Sequence, residues 1–78
     1  MPKLPVFSGK EFVKFLLAIG FVDIRTKGSH KRLKHPDGRV TTVPIHRNKV
    51  LPKGLIRKII REDLEMSLEA FVEAWKNR

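Results

Sequence analysis

A chain of 78 residues with a net charge of +9 and no cysteine excludes a disulfide scaffold, a thiolate nucleophile and a cysteine-ligated metal centre. The length is that of a single domain over residues 1–78 with a thin core, because a chain this small buries only about 60% of its unfolded surface. A sequence pI near 10.5 is the electrostatic footprint of a domain that meets a polyanion.

The predicted elements begin after a short extended lead, residues 1–7, with prolines at positions 2 and 5. Ser8 and Glu11 have the spacing of a capping box. Phe12, Phe15, Leu16 and Ile19 follow as one apolar stripe of helical period, which places a helix over residues 9–19 and its left-handed stop at Gly20. From residue 21 the period changes to two. Val22, Ile24 and Thr26 face one way and Asp23 and Arg25 the other, the pattern of a half-buried strand. Gly28 and Ser29 interrupt it, and residues 30–34 form a second strand whose aliphatic anchor is Leu33. If Leu33 faces the core, Lys31 shares its face, and His30, Arg32 and Lys34 point to the open side. His35-Pro36-Asp37-Gly38 suits a type I turn with proline second and a glycine free to take a positive φ. Residues 39–43 return as a third strand, which Pro44 ends because proline cannot donate to a ladder. After a loop over residues 45–51, a second helix begins at Pro52. Its apolar face is Leu55, Ile56, Ile59 and Ile60, and its basic face is Lys53, Arg57, Lys58 and Arg61. Ser67 caps a last helix, residues 68–76, whose inner side carries Leu68, Phe71, Val72 and Trp75. The order α-β-β-β-α-α predicts an α+β domain. A three-stranded antiparallel sheet needs helices on one face to be stable, which leaves its other face bare.

The charge is clustered along this order. Residues 25–61 carry twelve Lys or Arg against one acid, Asp37, whereas residues 62–75 carry five acids and neither Lys nor Arg. The apolar run over residues 12–22 is broken by Lys14 and falls short of the ~20 residues a membrane span requires. It lacks a small-x-small cleavage site, so it does not read as a signal peptide. With no cysteine, the chain suits a reducing cytoplasm.

One residue stands out chemically. His30 follows a glycine-serine break and opens a strongly basic strand. Histidine side chains titrate near pH 6.5 and exchange protons at cellular pH. In RNA the 2′-hydroxyl can attack the adjacent phosphate, and a group that removes its proton or protonates the leaving 5′-oxygen contributes about 10² to 10⁴ in rate. Cations can neutralise the charge that develops on phosphate, so no metal is required. Lys27, Lys31 and Arg32 flank His30 and can do this, and Gly28 and Ser29 offer backbone N–H groups with little bulk. A lone histidine in such a strand is otherwise a surface or structural residue. His46 is a second proton-transfer group, an RNA contact or a loop histidine bonded to backbone, and His35 reads as a surface residue of the turn. The spacing 30, 35 and 46 matches no zinc pattern, and no phosphate-binding glycine loop, Ser-His-Asp set or paired-carboxylate site is present. Neither a metal nor a cofactor is expected. Lys53 adds its charge to the dipole of the helix that starts at Pro52, an arrangement that attracts phosphate.

Lys27-Gly28-Ser29-His30, then His35-Pro36-Asp37-Gly38, Val43-Pro44-Ile45-His46 and Leu51-Pro52-Lys53-Gly54-Leu55-Ile56-Arg57-Lys58-Ile59-Ile60 resemble the HicA-type toxins of toxin–antitoxin modules. The resemblance includes Gly20-Phe21 and spans about residues 8–71. It implies a double-stranded-RNA-binding-domain-like fold and a small endoribonuclease that cuts mRNA. It makes His30 the catalytic residue. With the flanking basic residues it implies an RNA-binding set of Lys27, Gly28, Ser29, Lys31, Arg32, Lys34, His46, Lys53 and Arg57. It also implies a HicB-type antitoxin that masks this region and carries the DNA-binding part of the pair. The chain departs from its relatives in having Leu33 where they often place an aromatic residue, and in its longer acidic last helix with Trp75.

The alternative is a non-catalytic RNA-binding domain of the same fold, in which cations read A-form phosphates and 2′-hydroxyls by shape. Direct sequence-specific DNA binding by the last two helices is disfavoured, because Glu69 and Glu73 would face the phosphates without basic partners.

Overall fold

Helix α1 (Gly9–Ala18) starts where the sequence places a cap. The Ser8 hydroxyl accepts from the Glu11 N–H at 3.1 Å, and the Glu11 carboxylate accepts from the Ser8 N–H at 3.0 Å. The Ser8 backbone N–H first and the nearby Ser8 hydroxyl second hold the Glu11 carboxyl below the usual carboxylate range. The helix ends in a Schellman motif. Gly20 turns at φ 107°, the Phe21 N–H donates to the Leu16 carbonyl at 2.9 Å, and the Gly20 N–H donates to the Leu17 carbonyl, which satisfies two orphan carbonyls. The computed structural model describes residues 3–47 and 49–78. Met1 and Pro2 of the expected lead and Asn48 of the expected loop lie outside the described residues.

Three antiparallel strands follow, β1 (Val22–Lys27), β2 (His30–Lys34) and β3 (Val40–Pro44), in that spatial order with β2 central. Gly28, at φ 58°, takes the first central position of the two-residue β1–β2 turn, the place a type II′ hairpin reserves for glycine. The β2–β3 turn is the expected type I turn. The Gly38 N–H donates to the His35 carbonyl at 2.9 Å and the His35 N–H to the Arg39 carbonyl at 2.8 Å. Gly38 has φ 102°, as the bulge residue of a three-residue loop does.

Strand β1 differs from its expected half-buried form and is exposed along its whole length. Two causes combine. It is an edge strand, and the helices cover the other part of the sheet, so the buried strand residues are Leu33 on β2 and Thr41 and Val43 on β3. Its alternation is also broken by a bulge. Asp23 pairs with Leu33 and Arg25 with Arg32, leaving Ile24 as the extra residue. Val22 and Arg25 therefore share one face with Lys27, and Asp23 and Thr26 share the other.

The second helical stretch is not uniform. Four-residue hydrogen bonding holds over α2 (Lys53–Lys58) and then widens into a π-helical segment, Ile59–Asp63. Its closing bond runs from the Leu64 N–H to the Ile59 carbonyl at 2.9 Å. The wider turn carries Asp63 to the sheet, where its carboxylate accepts from the Thr41 hydroxyl at 2.8 Å. The Leu64 carbonyl accepts from the Arg39 guanidinium at 2.7 Å. Glu65, at φ 53°, reverses the chain into α3 (Leu68–Lys76), capped by the Ser67 hydroxyl through the Ala70 N–H at 3.0 Å.

The buried apolar residues form one cluster between the helices and the sheet. Phe7, Phe12, Phe15, Phe71 and Trp75 stack edge to face within it. Burying Phe71 and Val72 stabilises the docking of α3 by roughly 1.5–3 kcal/mol each. Leu4 and Phe7 of the lead are buried too, and the Leu51 N–H donates to the Phe7 carbonyl at 2.7 Å, so these two residues anchor it to the core. The result is an α+β fold of the double-stranded-RNA-binding-domain type, with helices on one face of the sheet and the other face bare.

Candidate nucleic-acid interface

The bare face presents three rows of cross-strand neighbours. Lys27 pairs with His30 and His30 with Pro44. Arg25 pairs with Arg32 and Arg32 with Thr42. Val22 pairs with Lys34 and Lys34 with Val40. Directly opposed residues have Cβ atoms about 4.5–5.5 Å apart, so the cations of adjacent rows converge on the space between them. That space is a shallow cavity of about 210 Å³ lined by Arg25, Lys27, His30, Arg32 and Thr42. No acid lines it. Among the described residues Arg25, Lys27 and Arg32 form no ion pair, because the salt bridges lie elsewhere. His30 is exposed, the orientation expected from the burial of Leu33 three pairs along the strand. A group that bears negative charge and rests against β2 therefore meets three uncompensated cations and one imidazole, with no competing carboxylate.

The other sequence-selected residues are distributed unevenly around this cavity. Lys34 lies on the same face, one row beyond it. Gly28 and Ser29 form the turn at its end, and the Ser29 carbonyl is engaged by the Ile45 N–H at 2.6 Å. Lys31 faces the opposite side and is held by Asp23 at 2.7 Å. His46 lies beyond the end of β3, exposed, beside a separate groove. Lys53 and Arg57 are exposed on α2, in the helical layer and not on the bare face, and Arg57 borders a cleft with Arg61 and Ser67.

Sequence reasoning missed Arg25 and Thr42. Plain alternation places Arg25 beside Asp23, and only the bulge at Ile24 turns it to the cavity. Thr42 was legible as the alternating partner of the buried Thr41 and Val43.

His35 is not the surface residue expected from the turn. Its side chain is about 20% exposed and lies edge-on to Phe21, with ring centroids 5.1 Å apart. Nδ1 accepts from the Asp37 N–H at 3.2 Å and Nε2 lies 3.3 Å from the Ile19 carbonyl, which requires the hydrogen on Nε2 in the neutral ring. It ties the β2–β3 turn to the end of α1.

Among the described residues no three His, Asp or Glu side chains gather into a cluster able to hold a metal ion, and no helix is long and apolar enough to cross a membrane. Comparison with protein families matches residues 9–64 to a family described as the HicA toxin of bacterial toxin–antitoxin systems. The match covers α1, the sheet, α2 and the π-helical segment and stops before α3. Comparison with curated proteins gives no match.

Proposed function

Because this chain belongs to the HicA toxin family, the toxins of toxin–antitoxin systems with a cognate antitoxin as partner, we propose that it is an endoribonuclease that cuts mRNA in the cytoplasm. The observation that carries the reading is the exposed imidazole of His30 in a cavity lined by Arg25, Lys27 and Arg32 and by no acid. A phosphodiester is the ligand such a cavity suits, since its charge replaces the mutual repulsion of the cations with attraction.

The reaction follows from that placement. The RNA 2′-oxygen bonds to the adjacent phosphorus as its proton leaves, and the bond from phosphorus to the 5′-oxygen breaks as that oxygen gains a proton. His30 serves one of these proton transfers. The charge that accumulates on the phosphoryl oxygens is met by the Arg25, Lys27 and Arg32 side chains, already in place on hydrogen-bonded strands, which is the arrangement electrostatic stabilisation requires. The products are a 2′,3′-cyclic phosphate and a free 5′-hydroxyl. The antitoxin, of HicB type, covers the same face and supplies the DNA-binding part of the pair.

The test is cleavage of a single-stranded RNA by the purified chain and by His30→Ala, with folding followed by circular dichroism. The wild type should cut RNA in the presence of EDTA, leave cyclic phosphate ends and spare the matching DNA strand, and His30→Ala should stay folded and lose at least about 10²-fold in rate. RNA binding without cutting by the wild type, or undiminished cutting by His30→Ala, overturns the proposal in favour of a binding domain or of another catalytic group.

A further inference from the structure

A second cationic depression begins where the first one ends. His30 is paired with Pro44, the last residue of β3, and the chain passes at once into Ile45 and His46. On that side lies a groove of about 480 Å³ lined by Ser8, Lys10, Ile45, His46 and Arg47. It holds two cations and an imidazole, and among the described residues no acid lines it. The nearest acid along the chain, Glu11, is occupied by the Ser8 N–H at 3.0 Å.

The two depressions are held in fixed relation. The Ile45 N–H donates to the Ser29 carbonyl at 2.6 Å, which locks the segment after β3 to the turn before His30. The first residue of α1 presses on the same point. A Cβ at Gly9 would sit 2.5 Å from the Pro44 carbonyl oxygen and 3.1 Å from the Ile45 Cα, so glycine is what lets α1 bring Lys10 this close. Pro44 and Ile45 join the two cation-lined hollows along the chain, and neither is charged.

We infer that this groove is a second phosphate subsite, in which Lys10 and Arg47 hold the backbone of a single RNA strand on one side of the bond cut at His30. The inference rests on the endoribonuclease reading and extends it to the substrate. The enzyme grips a strand several nucleotides long, because the strand must pass Pro44 and Ile45 to reach both hollows. A protein occupant fits less well. The groove offers one half-buried aliphatic, Ile45, and no aromatic or deep apolar pocket of the kind that anchors a protein partner.

The experiment measures affinity for single-stranded oligoribonucleotides of four and ten nucleotides, in the His30→Ala background so that binding is read without cutting. The His30→Ala protein is compared with the same protein carrying Lys10→Glu and Arg47→Glu. Glutamate at position 10 falls in the first turn of α1, where the helix dipole favours an acid, and position 47 is exposed, so the fold tolerates both. The parent should bind the longer strand about tenfold more tightly than the shorter, and the double variant should lose that gain. The slope of log affinity against log salt for the longer strand should fall by roughly 1.4, two contacts at about 0.7 each for a single strand. A length-dependent gain and a salt slope that survive the charge reversals overturn the inference. A double variant that keeps both and loses affinity for the antitoxin overturns it too, and gives the groove to the protein partner. Failure of the wild type to cut RNA leaves this measurement intact, so the two readings fall separately.

Discussion

Asp23 and Arg25 are two residues apart on one strand yet lie on opposite faces of the sheet. Regular alternation would put them side by side. The extra residue Ile24 separates them, sending Asp23 to pair with Leu33 and Arg25 with Arg32. The one acid of β1 is thereby spent on Lys31, at 2.7 Å, away from the cavity, and a cation takes the place beside His30 that an acid would have spoiled.

The first expectation follows from that exchange. Arg25→Ala should lower kcat/KM for RNA about tenfold, because an exposed cation that meets phosphate is worth about one such factor. Asp23→Ala should leave kcat/KM within about twofold and stability within about 1 kcal/mol, as for a surface ion pair. Initial rates on one RNA and a denaturant titration check both, and equal losses from the two changes would remove the bulge from the account.

Gly20 and Gly38 have similar backbones and different surroundings, which separates strain from crowding. Both sit in the left-handed region, at φ 107° and 102°. A Cβ at Gly20 would lie 2.8 Å from His35 Nε2, whereas one at Gly38 meets nothing within 4 Å. Gly38→Ala should cost about 1 kcal/mol of stability from strain alone, and Gly20→Ala about 2 kcal/mol or more, since it also pushes His35 off the Ile19 carbonyl. Chemical denaturation of the two variants reads the difference.

Asp37 makes stability depend on acidity in a stated direction. The Arg39 N–H, donating to its carboxylate at 3.0 Å, holds the carboxyl below its ordinary value of 3.8, partial burial opposes this, and the Arg39 guanidinium and His35 assist. A depressed folded pKa stabilises the fold above the ordinary value and loses that effect as pH falls through the folded one. Asp37→Asn should therefore be less stable than wild type at pH 6, and the gap should close as the pH falls below 3.8. Paired thermal melts at both extremes test the sign.

Thr41 is a buried polar strand residue, and its hydroxyl is satisfied by Asp63 at 2.8 Å. Thr41→Val keeps the shape, removes the donor and leaves the half-buried carboxylate short of a partner. The expected loss is about 1–2 kcal/mol, and Asp63→Ala should cost no more when made on top of Thr41→Val than about half its cost alone. A double-mutant cycle measures that coupling.

What could be read from the amino-acid order was whatever short-range chemistry decides. Ser8 and Glu11 specify the start of α1, Gly20 its end, Pro36-Asp37-Gly38 the turn, and Ser67 the last cap, because each acts within four residues. The outward aim of His30 was legible from the burial of Leu33. The missing pieces are set by partners distant in the chain. The bulge at Ile24 has no local mark, so neither the outward aim of Arg25 nor the full exposure of β1 is legible from the period of the sequence. The π-helical turn at 59–63 is selected by what Asp63 meets on β3. His35 is drawn inward by Phe21 and Ile19, which lie on the far side of two strands.

The uncovered side of the sheet contributes little to what keeps the molecule folded. Its shape is dictated by main-chain ladders and by the aliphatic and aromatic filling underneath. Side chains on it can therefore be exchanged almost freely without rebuilding the fold, so that on the reading proposed above such a toxin can retune its hold on RNA over generations.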